Sequence, residues 1–330
     1  MQKVRWGILS TAGIARRQLI PALQKEPGSE ITAIASLSGK AREVADEFGI
    51  PRAYDSYEEL LQDPDIQVVY IPLPNALHQQ WAIMAAQHHK HILCEKPATL
   101  HADEMNAVIE ACQQHQVLFM EAFMYQFHPQ HEKVKALVRS GAIGEVRLFR
   151  AAFSFAIGDQ PDNIRLNKEL GGGSLYDVGC YGIHSLRYIL EDEPEQVFAM
   201  GKIDPASGVD TLMTLSLKMQ SGVHALVDCN FEIPNRQEYE VIGTKGRIHV
   251  PRAYRPDLAG GEGLIRLHHE NGEVQELLVE GDQYLLQVQH LADCIRKGIE
   301  PSYPPSNTLQ NMRVIDAAYS SLREGKSIYL

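Results

Sequence analysis

Short apolar runs separated by helical stretches fill the first third of the 330-residue chain, and this alternation restricts the fold more than any single motif. Residues 4–9, 31–36, 68–71, 91–94 and 117–120 each read as a buried strand, mostly apolar and too short for a helix. The stretches between them have helical spacing. Ala41, Val44, Ala45 and Phe48 share a face, and Gly49 suits a helix end. His78 opens a helix carrying Trp81, Ala82, Ala85 and Ala86, while Met105, Val108, Ile109 and Cys112 mark another. Strands and helices alternating at this distance imply a parallel sheet with helices on both faces. Ligands bind such sheets outside the carboxyl ends of the strands, so the residues just after each strand are the first candidates for chemistry.

After the first strand comes Ser10-Thr11-Ala12-Gly13-Ile14-Ala15, then a helix expected to run through Leu23 with a kink at Pro21. Strand, tight loop of small residues and helix form the phosphate-binding unit of a dinucleotide fold, although the glycine fingerprint is altered to Ser10, Ala12 and Ala15. Small side chains still let backbone N–H groups approach a pyrophosphate. A plain strand-to-helix turn accounts for the loop equally well. After the second strand, where NAD-binding units usually carry a carboxylate for the ribose hydroxyls, the chain reads Ser36-Leu37-Ser38-Gly39-Lys40. Two hydroxyls and a lysine suit a 2′-phosphate better, so NADP is slightly favoured over NAD. The fourth strand run ends in Glu95-Lys96-Pro97, which puts a carboxylate and an ammonium group at the ligand-binding edge. Lys96 can there donate to a substrate oxygen; taken alone, the pair also reads as a solvated ion pair. His88, His89, His91 and Cys94 lack a paired ligand spacing, so no metal site is expected.

The second half changes period. A helix is expected over residues 131–140 and a long strand from Val146 to about Phe155, followed by an irregular stretch containing Arg165. Gly171-Gly172-Gly173-Ser174 leads into a helix on which Asp177 and Tyr181, four apart, share a face with His184 close to it. Beyond Gln196, alternating strands with short turns, including Asn271-Gly272, imply an antiparallel sheet. Helices from about Tyr284 and Thr308 close the chain. The formal net charge of −11 argues against a nucleic-acid groove. Five scattered cysteines, never in a CxxC spacing, fit reduced thiols of a cytoplasmic protein. No signal peptide is visible at the start, and no apolar run reaches membrane-spanning length.

Taken together, Pro74-Asn75 with His78, Glu95-Lys96-Pro97, Glu121-Ala122-Phe123-Met124-Tyr125-Gln126-Phe127-His128-Pro129 and Gly171-Gly172-Gly173-Ser174-Leu175-Tyr176-Asp177-Val178-Gly179-Cys180-Tyr181 resemble the Gfo/Idh/MocA oxidoreductases, over most of the chain. Glucose–fructose oxidoreductase and inositol dehydrogenase typify that family. Within it the chain looks most like the dihydrodiol dehydrogenase and aldose dehydrogenase branch, where tyrosine follows the aspartate by four. The departures are Ser10 and Ala12 in place of glycines, and Leu37 where NADP-using relatives often carry arginine. The resemblance implies an α/β plus α+β fold: an N-terminal Rossmann NAD(P)-binding domain over residues 1–122, and a C-terminal substrate-binding and dimerisation domain over 123–330 built on a mostly antiparallel, open-faced β-sheet. It also implies that the last helices pack back towards the first domain.

The expected activity is hydride transfer between the nicotinamide and a carbohydrate, polyol or cyclic diol, in a cleft between domains. Lys96, Tyr181 and Asp177 are the expected catalytic residues. Free tyrosine has a pKa of about 10, so Tyr181 needs a cation such as Lys96 to move a proton near neutrality. Expected cofactor contacts are Ser10, Thr11, Ala12, Gly13, Ile14, Ser36, Ser38, Pro74, Asn75, His78, Glu95, Lys96 and Glu121. Expected substrate contacts are Lys96, Tyr125, Arg165, Asp177, Tyr181 and His184. The apolar content of the second sheet face leads to a homodimer or dimer of dimers as the expected assembly. A non-catalytic NAD(P) sensor of the same fold is the rival reading, and transient oxidation ending in hydrolysis is a weaker third.

Overall fold

The computed structural model describes residues 3–160 and 162–330. The chain divides into two compact units, one comprising the residues up to Phe123 together with Tyr284–Gln310, the other Met124–Gln283 with Asn311–Leu330.

In the first unit six strands form one sheet: β1 (Val4–Leu9), β2 (Ser29–Ala35), β3 (Arg52–Tyr54), β4 (Val68–Ile71), β5 (His91–Cys94) and β6 (Phe119–Glu121). Their spatial order is β3-β2-β1-β4-β5-β6, and every pair is parallel. This is the doubly wound sheet expected from the alternation, with its topological switch between β1 and β4. All four residues of β4 are buried, as are the last three of β5, which is why these runs carry no polar alternation. Helices His78–Gln87 and Ala102–His115 pack on the sheet through Trp81, Ala82, Ala85, Met105 and Val108.

Three local features differ from the sequence reading. The edge strand β3 and the helix Tyr57–Gln62 have no apolar run to announce them; the helix is started by Ser56, whose side chain accepts from the Glu59 N–H at 3.2 Å. The kink expected at Pro21 is absorbed earlier, in a widened π turn over Ala15–Leu19 that ends with the Ile20 N–H bonded to the Ala15 carbonyl. Pro21 has no N–H to donate to the turn before it, and the wider turn re-pairs the backbone around that gap.

The second unit holds a nine-stranded sheet. Its strands are β7 (Val146–Ser154), β8 (Pro194–Ile203), β9 (Asp210–Met219), β10 (His224–Asn230), β11 (Arg236–Gly243), β12 (Gly246–Val250), β13 (Glu262–His269), β14 (Val274–Glu280) and β15 (Ile328–Tyr329). The order is β14-β13-β12-β11-β7-β10-β9-β8-β15, antiparallel throughout except for the β7–β10 pair. One face is covered by the helical run Leu175–Gly179 and Cys180–Leu190. Its glycines set the approach: a Cβ on Gly179 would lie 2.8 Å from the Cys229 sulfur, and one on Gly182 would overlap Val227. Helices Gln283–Lys297 and Pro305–Glu324 carry the chain into the first unit and back. Among the described residues, no helix is long and apolar enough to cross a membrane.

Candidate active site

At the end of β1 the backbone of Ser10 adopts φ 137°, a conformation that favours glycine and strains any residue with a Cβ. The altered fingerprint thus keeps the glycine-type path without the glycine. The Ser10 hydroxyl accepts from the Ala12 N–H at 3.1 Å. Arg16 makes the first helical bond, to the Ala12 carbonyl, so the N–H groups of Gly13 and Ile14 fall in the first turn, where no intrahelical acceptor exists. Beside this turn, Thr11 and Ser36 approach to 3.4 Å and Ser36 and Ser38 to 2.9 Å, a cluster of three hydroxyls at the end of β2. Tyr57, absent from the sequence reading, lies beside Ser10 and the Leu37 backbone. First-turn donors beside small residues fit a pyrophosphate, and the hydroxyl cluster fits the ribose end of a dinucleotide.

The Glu95-Lys96-Pro97 loop at the end of β5 is tied down from three sides. Tyr70, fully buried in β4, donates its hydroxyl to Glu95 Oε1 at 2.6 Å. Glu121, at the end of β6 and fully buried, accepts from the Ala98 N–H at 2.9 Å. His78 has one ring nitrogen 2.8 Å from the Pro97 carbonyl and the other 2.8 Å from the Leu73 carbonyl, so it links this loop to the one after β4. Burial pushes the His78 imidazole down to about 4, against the pull of those two carbonyls. Pro74 and Asn75 lead into the short turn Asn75–Leu77 directly before His78. Lys96 therefore leaves a backbone fixed by Glu95, Glu121 and His78. Of the neighbouring histidines, His91 Nδ1 accepts from the Leu118 N–H at 2.9 Å, and His89 lies 3.4 Å from the His115 carbonyl.

In the second unit, Asp177 sits in the widened π turn and accepts from Arg165 Nε at 2.6 Å. Arg165 is brought there by the glycine run. Its carbonyl accepts from the Gly173 N–H at 3.0 Å, and a Cβ on Gly172 would lie 2.5 Å from the same oxygen. Tyr181, one turn on, is 4% exposed and walled by Tyr125, Phe153 and Tyr254, with ring centroids 5.3–5.7 Å away. Its hydroxyl lies 3.4 Å from the Met124 sulfur. His184 pairs with the Tyr125 hydroxyl and is buried; its pKa is pushed well down, first by burial and then by Arg187. Tyr125 and His184 thus form one buried pair behind Tyr181, while Arg165 and Asp177 form a second pair at the start of the helix.

Sequence reasoning overlooked Tyr70, Tyr254, Phe153 and Asp210. Tyr70 left a signal, since a hydroxyl inside an otherwise apolar buried strand needs a partner. Tyr254 and Phe153 left none: Phe153 reads as an ordinary core aromatic of a strand, and Tyr254 lies in the loop beyond β12. Asp210 belongs to the network that holds the start of the Asp177 helix.

The matches to known proteins follow the same division. Residues 4–123 match a family model described as an oxidoreductase family with an NAD-binding Rossmann fold, and residues 131–249 match the GFO/IDH/MocA C-terminal domain. The chain is 41% identical over 327 residues to D-xylose 1-dehydrogenase (NADP(+)) 2 of Haloferax volcanii, covering 98% of this chain and 99% of the relative. It is 33% identical to trans-1,2-dihydrobenzene-1,2-diol dehydrogenase of Xenopus tropicalis, over 90% of this chain and 91% of that one. The crystal structure of aldose-aldose oxidoreductase from Caulobacter crescentus, complexed with glycerol, superimposes with a TM-score of 0.92 at 29% identity, covering both chains completely. With family models over both units and a close relative along nearly the whole length, the chain belongs to the GFO/IDH/MocA family and is an NAD(P)-dependent oxidoreductase.

Proposed function

We propose that the protein oxidises or reduces a CH–OH centre of an aldose or related polyol or cyclic diol, with Tyr181 moving the proton. The observation that carries this reading is the placement of Tyr181: a hydroxyl in an aromatic wall, one turn along the same helix from Asp177, which Arg165 holds from the preceding segment. The nicotinamide, when bound, carries the hydride. Tyr181 gives its hydroxyl proton to the substrate carbonyl oxygen, or takes the proton from the alcohol. Lys96, at the end of β5, is assigned a contact to a substrate oxygen, and a cation near a tyrosine favours tyrosinate. Asp177, oriented by Arg165, accepts from a neighbouring substrate hydroxyl. Tyr125 and His184 hold the tyrosine wall from behind.

The hydroxyl cluster of Thr11, Ser36 and Ser38 supports NADP over NAD, as does the acid-free sequence Ser36-Leu37-Ser38-Gly39-Lys40 after β2. The xylose dehydrogenase relative is named for NADP. A homodimer through the uncovered face of the nine-stranded sheet is supported by Met200 and Leu226, exposed at 60% and 43%. The same face carries a depression of about 460 Å³ lined by Arg150, Thr214, Leu226, Asp228, Glu238 and Arg247. Buried, unbridged cysteines support a cytoplasmic setting.

A panel of aldoses, polyols and cyclic diols, offered with NADP and with NAD while reduced cofactor is followed by absorbance, tests the reading. Net formation of NADPH with an aldose or diol is the expected result. Cofactor binding with no turnover on any member of the panel points to the sensor instead.

A further inference from the structure

The helix that carries Asp177 and Tyr181 has no cap from its own sequence: Ser174 makes no capping bond to the first turn. A carboxylate from the sheet takes that place. Asp210, the first residue of β9 and 2% exposed, accepts at Oδ2 from the Leu175 N–H at 2.7 Å and from the Ser174 hydroxyl at 2.7 Å. Its other oxygen, Oδ1, accepts from the Tyr319 hydroxyl at 2.7 Å. Tyr319 belongs to the closing helix, and its ring packs against Tyr176 at 5.0 Å, beside Asp177 in the same turn. Gly173 makes room for the carboxylate, because a Cβ there would overlap Asp210 Oδ1, and its φ of 132° excludes ordinary side chains as well. Burial pushes the Asp210 carboxyl up, and the bonds from Ser174, Tyr319 and Leu175 pull it back.

A buried carboxylate is costly unless its oxygens are paired. Here three donors converge on it, and one of them is the first-turn N–H of a helical run reaching Leu190, an end where negative charge is favoured. Ser174 and Leu175 lie within one turn of Asp177, and Tyr319 is on the helix that packs beside it. The arrangement fixes where the first turn begins, and hence the direction in which Asp177 and Tyr181 leave the helix.

We infer that Asp210, held by Tyr319 and Ser174, is a positioning residue for the reaction: it docks the start of the active helix onto the sheet and so sets the placement of Asp177 and Tyr181. This rests on the assignment of those two residues above. A misplacement of about 1 Å at a reacting group costs on the order of a hundredfold in rate.

The test compares Asp210→Ala, Asp210→Asn, Ser174→Ala and Tyr319→Phe with the wild type, using D-xylose and NADP. The amide introduced by Asp210→Asn would keep one carbonyl oxygen for Ser174 and Leu175, with Tyr319 turning to accept from its N–H. The expected result is a kcat loss of about a hundredfold in Asp210→Ala. Most of that loss should be restored in Asp210→Asn, and NADPH affinity should stay within about twofold, since the fingerprint loop is untouched. Hydrogen exchange at the Leu175 amide should speed up about ten- to a hundredfold in Asp210→Ala, the factor a hydrogen bond to a charged group is worth. Unchanged kcat and unchanged Leu175 exchange in Asp210→Ala overturn the inference, as does an Asp210→Asn variant as impaired as the alanine. If Asp210→Ala does not fold, Ser174→Ala and Tyr319→Phe must each show a smaller loss in the same direction, and unimpaired behaviour in both overturns the inference. If the wild type turns over neither D-xylose nor any other sugar, the functional reading fails while Leu175 exchange still decides whether the clamp exists.

Discussion

The Glu95-Lys96-Pro97 loop of the first unit and the Gly171–Ser174 run of the second solve one problem with the same device. Each holds a candidate side chain at a defined place, and each anchors its backbone with an N–H bonded to a buried carboxylate: Ala98 to Glu121, and Leu175 to Asp210. The difference lies in where the carboxylate comes from. Glu121 is the register partner of Cys94 in the neighbouring parallel strand, so the sheet itself delivers it to the loop that follows Cys94. Asp210 comes from a strand 35 residues beyond Leu175, and its placement depends on a glycine that leaves it room and on a tyrosine from the closing helix. In a doubly wound sheet the topology gathers the ligand-facing residues at one edge. A helix lying on an antiparallel sheet has no such edge, and each contact that fixes it must be made separately.

The largest effect should fall on Lys96 and Tyr181, one from each unit. We expect Lys96→Met and Tyr181→Phe each to lower kcat by about a hundred- to ten-thousandfold, the usual worth of general acid–base catalysis, with cofactor binding little changed. If the two act on the same oxygen, the double mutant loses far less than the product of the single losses. Near-full turnover in both single mutants would return Glu95-Lys96 to the role of an ion pair on a loop.

Acid should then separate the two units. Histidines buried in the neutral form have folded pKa values below that of the unfolded chain, so the unfolded chain binds more protons in acid and stability falls with pH. His131 in the second unit is pushed to about 3 and His78 in the first to about 4, from 6.5, chiefly by burial. Their contribution is complete above pH 6.5 and is lost progressively as pH falls towards 4 and 3. His128, His184 and His268 in the second unit and His91 and His290 in the first are shifted in the same direction, with His184 pushed well down, which loads the second unit more heavily. Thermal unfolding followed from pH 7 to pH 4 should show the second unit losing stability first; a pH-independent Tm over that range would contradict it.

The smallest effects compare how tightly each anchor is packed. Gly182→Ala forces a methyl into Val227 of the sheet and should destabilise by about 1–3 kcal/mol, the usual cost of overpacking. Tyr70→Phe removes only the hydroxyl that reaches Glu95 and should cost about 1–2 kcal/mol. Denaturant titration of both variants measures the pair. A larger loss in Tyr70→Phe would mean that the sheet edge, not the helix seat, is the more finely fitted.

The periods of the sequence determined the sheets. Runs such as Val68–Ile71 and His91–Cys94 begin and end in the structure where the apolar pattern begins and ends, because a strand buried on both faces admits almost no polar residue. Strand-end position also marked Lys96, and the motif around Gly171–Tyr181 marked the helix of Asp177. Tertiary structure alone decided what holds them. Nothing near Asp210 in the chain distinguishes it from a surface acid at the start of a strand; its burial and its three donors exist only once β9, the glycine run and the closing helix are assembled. The same is true of His184, read as a residue near the substrate face and found paired with Tyr125 in the interior. Helical spacing tells which residues share a face. It does not tell how deep that face lies, because depth depends on how closely glycines such as Gly179 and Gly182 let the helix approach the sheet.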